Sequence, residues 1–230
     1  MDKIDKFIYI NLDKREDRKK HILSELKKFN IPDEKIIRFS AVEHLKGQIG
    51  CGLSHIGAME MFKASGDKVW CILEDDNIFT KNLDEMNIYI NEFLSKPCYD
   101  VFLGCTASLK AKNIKGSDKL VRVNRSKMTS FYIMRSNVTD AMIASHNQSI
   151  RSYGQSFYKK GTPIDVMWFN LMKVFVFVTS YFNPLGAQLI GYSDILQKKK
   201  DYSGITKTEK YELEDTESLE SGKESQDESL

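Results

Sequence analysis

Eight residues, Val69–Asp76, constrain this chain more than any others: Val-Trp-Cys-Ile-Leu-Glu-Asp-Asp. Five apolar or small residues run straight into three acids. A short apolar run of this kind suits a strand buried on both faces. The acids then emerge at its C-terminal end, where open α/β sheets place their ligands. Adjacent carboxylates repel one another and need a counter-charge. A divalent cation with oxygen ligands, Mg²⁺ or Mn²⁺, supplies it. A strand end followed by a solvated acidic turn has the same pattern.

The flanking chain supplies the rest of such a fold. Lys6–Leu12 reads as a first strand. Asp13 and Glu16 have the spacing of a capping box, and Ile22, Leu23, Leu26 and Phe29 share one helical face. Pro32 prevents continuation of that helix, and Ile36–Val42 reads as a second strand. Strand, helix, strand is the unit of a parallel sheet. Gly47–Gly52 reads as a flexible loop ahead of a helix carrying Leu53, Ile56, Met59 and Phe62. Glycines there let backbone N–H groups approach a phosphate, although an ordinary loop has the same composition. Leu83, Met86, Ile90 and Phe93 mark a further helix and Tyr99–Leu103 a strand, while the polar Ala107–Ser117 reads as a surface loop. Leu120–Val123 and Thr129–Met134 read as strands, and Asn137 can cap a helix running through His146. Another helix is expected from Thr162-Pro163-Ile164-Asp165, with Ile164, Met167, Trp168 and Leu171 on one face. Val174–Tyr181 is a strong β-run.

At 230 residues, 41% hydrophobic and 29% charged, the chain suits one well-buried domain with a tail. From Lys207 to Leu230 there are nine acids and three bases, a net of −6, which leaves +8 on the rest of a chain whose total is +2. The expected division is therefore a folded domain at 1–206 and an acidic, disordered tail at 207–230, too poor in apolar residues to offset its ordering entropy. The basic body suits a phosphorylated ligand or an acidic partner. The charged N-terminus lacks a signal-peptide h-region, and no apolar run reaches a spanning length. Cys51, Cys71, Cys98 and Cys105 form no CxxC pair. A cytoplasmic protein with reduced thiols is expected, with peripheral membrane contact left open.

Five blocks, in this order, resemble glycosyltransferase family 25, the lipooligosaccharide and procollagen galactosyltransferase-like enzymes. They are Ile10-Asn11-Leu12 with Arg15 and Arg18; Ile49-Gly50-Cys51-Gly52-Leu53-Ser54-His55; Ile72-Leu73-Glu74-Asp75-Asp76; Pro163-Ile164-Asp165; and Pro184 with Gln188 and Ser193-Asp194-Ile195. The resemblance implies an α/β, GT-A-like, Rossmann-like sandwich: a mixed, mostly parallel sheet flanked by helices. It also implies a nucleotide-sugar donor, UDP-linked in named members, a divalent metal (Mn²⁺ or Mg²⁺), and inversion at the sugar carbon.

Each candidate residue carries two readings. Asp76 is the first choice as direct metal ligand and Glu74 the second; Glu74 or Asp75 can also act through water or hold the ribose, and all three equally suit a turn. Arg15 and Arg18 fit a pyrophosphate or base contact, or a solvated helical face. Asn11 orients the nucleotide or satisfies the strand end. Ser54 and His55 sit at a helix start, where His55 contacts the diphosphate, orients an acid, or is structural. Asp165 matches an acceptor-side carboxylate, the base an inverting transfer needs, yet is spaced from Thr162 as a helix cap. Asp194 is the rival base. Gln188 suits a sugar hydrogen bond, and Trp168 falls at core spacing. The expected activity is a metal-dependent hexosyl transfer, of galactose or glucose, to a glycan, lipid-linked or protein hydroxyl, with no nucleic-acid partner. A metal-dependent nucleotide hydrolase or phosphotransferase, and a catalytically silent sugar-binding module, are the rival readings.

Overall fold

The computed structural model describes residues 1–154, 161–181, 184–195, 198–200 and 213–217. In chain order its elements are β1 (Lys6–Asn11), α1 (Glu16–Lys27), β2 (Ile36–Ser40), α2 (Gly47–Ser65), β3 (Val69–Glu74), β4 (Asn77–Phe79), α3 (Leu83–Ser95), β5 (Val101–Leu103), β6 (Ala107–Ile114), β7 (Leu120–Lys127), β8 (Phe131–Arg135), α4 (Thr139–Gly154), α5 (Ile164–Met167), β9 (Phe177–Ser180), β10 (Gly186–Gln188), β11 (Gly191–Ser193), β12 (Lys198–Lys200) and β13 (Leu213–Glu217). Among the described residues the main sheet has nine strands in the order β13-β6-β7-β9-β5-β8-β3-β1-β2. The strands β2, β1 and β3 run parallel. β8 lies antiparallel between β3 and β5, and β9 runs parallel to β5.

Side-chain alternation divides the core into two layers. On β3, Val69, Cys71 and Leu73 join α1 and α3 through Ile22, Leu26, Met86, Ile90 and Phe93. Trp70 and Ile72 point the other way, toward Ala58, Met59 and Phe62 of α2 and Met142 of α4. Trp70 stacks on Phe62 with ring centroids 5.0 Å apart, and its indole N–H donates to Asp67 at 2.6 Å. Burying each large side chain of this kind contributes roughly 1.5–3 kcal/mol. The strand buried on both faces and the Rossmann-like α/β sandwich are thus present as the sequence implies.

Because α1 and α2 pack on opposite faces, the chain leaves β1 toward β2 and then returns past β1 to β3. The strand order therefore reverses at β1. Such a switch point opens a crevice beyond the carboxyl ends of the strands. Two small ribbons lie apart from the main sheet: β4 pairs antiparallel with β10, setting Gln188 opposite Asn77, and β11 pairs with β12.

Several local expectations give way to tertiary packing. Gly47–Gly52 is not a loop but the first turns of α2. Glycine in a helix costs about 1 kcal/mol against alanine, yet a Cβ at Gly50 would stand 2.6 Å from the Val42 carbonyl oxygen. Close packing therefore requires the small residue. Asp13 does not cap α1; its carboxylate is taken by Arg38 and Ser40. A capping box forms instead at α3, between Asn82 and Glu85. The polar segment from Ala107 is strand β6, with Ala107, Leu109 and Ala111 buried on alternate positions. Its period of two is masked in the sequence by small alanines. The helix expected from Thr162 lasts only from Ile164 to Met167 before tightening to a 3₁₀ turn, with no side-chain cap. Within the segment expected to lack structure, Leu213–Glu217 pairs parallel with β6 as an edge strand. Backbone hydrogen bonds alone suffice for such pairing, so it needs none of the apolar periodicity the tail lacks.

Candidate active site

The carboxyl ends of β1 and β3 lie side by side, with Ile10 in register with Glu74. Asn11 is buried, and its amide donates to the Asp75 carboxylate at 2.8 Å and to the Arg15 carbonyl at 3.1 Å. Its own side-chain oxygen accepts from Arg38 at 3.1 Å. Asn11 therefore fixes Asp75 to the strand ends. From α1, the Arg18 guanidinium reaches Asp75 at 3.1 Å and Asp76 at 3.2 Å, and it donates to the Tyr192 carbonyl at 2.7 Å. One half-buried cation thus holds two acids and the C-terminal segment.

Glu74 faces a different group of partners. Its Oε1 accepts from the Thr129 hydroxyl at 2.7 Å and lies 3.3 Å from the His55 Nε2. Its Oε2 lies 3.4 Å from the Gln188 amide. The other His55 nitrogen, Nδ1, contacts the Tyr132 hydroxyl at 3.0 Å. Burial raises the Glu74 pKa, but the His55 contact, the Thr129 hydrogen bond and the Arg18 charge outweigh it, and the net displacement is downward. Asp76 behaves oppositely. Burial and the neighbouring Glu74 push it up to about 7 against the pull of Arg18. Its Oδ1 is buried and has no hydrogen-bond partner among the described residues. Burial also raises Asp75, with Asn11 and Arg18 opposing.

These acids form the floor of a cleft of about 260 Å³. One wall is the loop after β2 and the first turns of α2, including Gly50, Cys51, Ser54 and His55; the other is Gln188 and the segment Tyr192–Ile195. Lys14 and Arg18 line it from the α1 side. Arg15 pairs with both Asp17 and Asp194, and Asp194 lines the cleft. The Ser54 hydroxyl serves the architecture of the wall, donating to the Gly50 carbonyl at 2.7 Å and accepting the Val42 N–H at 2.8 Å. Together these bonds clamp the loop onto the helix.

Residues 43–161, more than half of the chain, match the sequence model of glycosyltransferase family 25, described as an LPS biosynthesis protein family. The chain belongs to glycosyltransferase family 25. The matched span carries His55 and all three acids; Asn11, Arg15, Arg18, Asp165, Gln188 and Asp194 lie outside it. Among solved structures, the family 25 chain is similar to A197 from STIV, at 13% identity and a TM-score of 0.44, over 90% of this chain and 96% of that one. A glycosyltransferase involved in the glycosylation of the major capsid of PBCV-1 is 10% identical with a TM-score of 0.43, over 71% of this chain and 74% of that one. A UDP-glucose pyrophosphorylase complexed with UDP-glucose is 11% identical with a TM-score of 0.44, over 80% and 74%. No curated protein matches the chain.

Of the residues singled out in this family 25 sequence, the fold gathers Arg18, Ser54, His55, Glu74, Asp75, Asp76, Gln188 and Asp194 around one cleft. Asn11 and Arg15 support it through Asp75 and Asp194. Asp165 is not among the lining residues. Its carboxylate accepts the Met128 N–H at 3.1 Å, and burial raises its pKa. Met128 has φ 83°, so Asp165 pins a left-handed turn between β7 and β8 rather than capping α5. Trp168 is fully buried and donates to the Ser126 carbonyl at 2.9 Å, in keeping with its core spacing. Cys51, Thr129 and Tyr132 were not singled out. Cys51 carried one legible signal, its position four residues before His55 on the same helical face. Thr129 and Tyr132 reach the site only through the antiparallel insertion of β8. No described helix is long and apolar enough to cross a membrane.

Proposed function

We propose that this family 25 chain transfers a hexose, galactose or glucose, from a nucleotide-diphosphate donor to a hydroxyl of a glycan, glycolipid or protein acceptor, with inversion at the sugar carbon. A UDP-sugar is the donor we expect. One observation carries the reading: buried acids at the topological switch point include an oxygen, Asp76 Oδ1, with no hydrogen-bond partner among the described residues, beside a cleft edged by Lys14 and Arg18.

A Mg²⁺ or Mn²⁺ ion fits this donor set. It would answer the unpartnered Asp76 oxygen and relieve the mutual repulsion of Glu74 and Asp76. Asp76 and Glu74 would hold it, and when bound it would neutralise the diphosphate leaving group. Arg18 and Asn11 fix the carboxylates before any ligand arrives. Preorganised charge of this sort acts on the transition state without reorganisation cost. Lys14 and Arg18 line the cleft as cationic groups for phosphate oxygens, and Arg15 holds Asp194 from behind. Gln188 is placed to hydrogen-bond a sugar hydroxyl.

In the transfer, the acceptor oxygen bonds to the anomeric carbon as the bond to the diphosphate oxygen breaks, and the hydroxyl proton passes to a carboxylate. Asp194 lines the cleft and Asp165 does not, which supports Asp194 in that role. The testing experiment presents a panel of nucleotide sugars with Mn²⁺ and scores release of nucleotide diphosphate. Release that depends on the sugar, is lost in chelator, and is lost in a folded Asp76→Asn protein is the expected result. Attack on nucleoside triphosphates would instead indicate a phosphotransferase, and binding without turnover on any acceptor a silent module. Full activity of Asp76→Asn, or in excess chelator, removes the metal role.

A further inference from the structure

A second donor set lies on the inner wall of the cleft, with chemistry unlike that of the aspartates. The sulfur of Cys51, a ring nitrogen of His55 and a carboxylate oxygen of Glu74 lie within 4.8 Å of one another. Cys51 and His55 stand one turn apart on α2, and Glu74 meets them from the end of β3. Ligand atoms around a tetrahedral zinc sit roughly 3.3–3.8 Å apart, as bonds of about 2.0–2.3 Å require. The His55–Glu74 pair is already at 3.3 Å, so the three close on an ion with side-chain movements of about an ångström.

We infer that Cys51, His55 and Glu74 form a site for a borderline-soft divalent cation of the zinc type, with its fourth position open to the cleft. Thiolate and imidazole ligands select Zn²⁺ or Co²⁺ over Mg²⁺ and Mn²⁺, which favour oxygen. The surroundings match what such a site needs. His55 Nδ1 contacts the Tyr132 hydroxyl at 3.0 Å, a partner that fixes the ring and directs Nε2 to the ion. The Thr129 hydroxyl holds Glu74 Oε1 at 2.7 Å. Glu74 presents Oε1 to this set and leaves Oε2 on the Gln188 side. Asp76 is not a ligand here; Glu74 is shared with the Mg²⁺ or Mn²⁺ reading, and the Cys51 sulfur and the His55 nitrogen are what distinguish this site from it.

The test uses the full chain, stripped of metal and titrated with Co²⁺ under reducing conditions. A thiolate-to-cobalt charge-transfer band should saturate at one equivalent and be abolished by Zn²⁺. The band should vanish in Cys51→Ser and persist in Cys98→Ser and Asp76→Asn. Absence of the band in the wild type, or its survival in folded Cys51→Ser, overturns the site. If Cys51→Ser does not fold, Tyr132→Phe decides: it keeps the ring and should weaken Zn²⁺ binding by about 10–100-fold, whereas wild-type affinity overturns the site. Sugar-dependent turnover with Mn²⁺ in a protein that shows no cobalt band defeats this inference alone.

Discussion

His146 lies on α4 with its ring fully buried, and neither ring nitrogen has a side-chain hydrogen-bond partner among the described residues. Burial, followed by the neighbouring His55, lowers its pKa to about 3 from an ordinary 6.5. In the unfolded chain the ring takes a proton below about 6.5; in the native protein it does not. Stability is therefore fully present above that pH and lost as pH falls from about 6.5 toward 3, by about 1.4 kcal/mol per pH unit from this residue. Asp76, pushed up to about 7, contributes with the opposite sign over the same range, so the check is the difference between proteins: from pH 7 to pH 5 the urea midpoint of the wild type should drop relative to that of His146→Leu. Equal slopes in the two proteins would assign the acid sensitivity elsewhere. The two candidate bases separate at the same scale. In Asp165→Asn the amide oxygen can still accept the Met128 N–H, so both this variant and Asp194→Asn should fold and bind donor. Transfer should fall by about 10²–10⁴ in Asp194→Asn and change little in Asp165→Asn. The opposite outcome, read from paired melting and rate measurements, returns the base to Asp165.

Among the elements, the β4–β10 ribbon fixes the cleft on its C-terminal side. It places Gln188 opposite Asn77, and the next residue, Leu189, donates its N–H to the Asp76 carbonyl at 2.7 Å. The ribbon can approach this closely because residue 186 is glycine: a Cβ there would stand 2.7 Å from both the Asn77 side-chain oxygen and the Cys105 sulfur. Gly186→Ala should cost about 1–3 kcal/mol through overpacking and weaken donor binding by displacing Gln188. Thermal melting and donor titration on the same protein check this. Unchanged values in both would mean that Asn77 and Cys105 swing aside freely. Helix α2 illustrates the same economy of space. Its glycines lower local helix propensity, yet they admit the loop after β2 and so bring Cys51, Ser54 and His55 to the cleft wall.

For the molecule as a whole, the physical question is how the acidic segment relates to the domain. The strand β13 joins the sheet at β6 through backbone pairing at the sheet edge. Removing it would leave β6 as the edge, where charged Lys110 already disfavours pairing with other chains. A chain ended at Lys207 should therefore keep its fold, with a melting temperature within about 4 °C of the full chain, equivalent to about 1 kcal/mol or less, and keep donor hydrolysis. A much larger drop would make β13 part of the domain. Loss of transfer confined to large acceptors would point to a tethering role.

The sequence by itself determined the parts whose cause is local. Val69–Asp76 carried its own burial pattern and its own acids, so this interior strand and the charged floor of the cleft were legible without neighbours. The helical faces of Ile22–Leu26 and Met86–Phe93, and the ordered blocks that mark the family, were legible in the same way. Tertiary structure decided whatever depends on partners distant in sequence. Asn11 and Arg18 meet Asp75 across 64 and 57 residues, and Thr129 meets Glu74 across 55. No periodicity encodes these distances; they follow from strand register and from which face each crossover helix covers. For the same reason Gly47–Gly52 became helix and Asp165 became the anchor of a turn. In each case the packing energy of a crowded interior outweighed a local preference of about 1 kcal/mol.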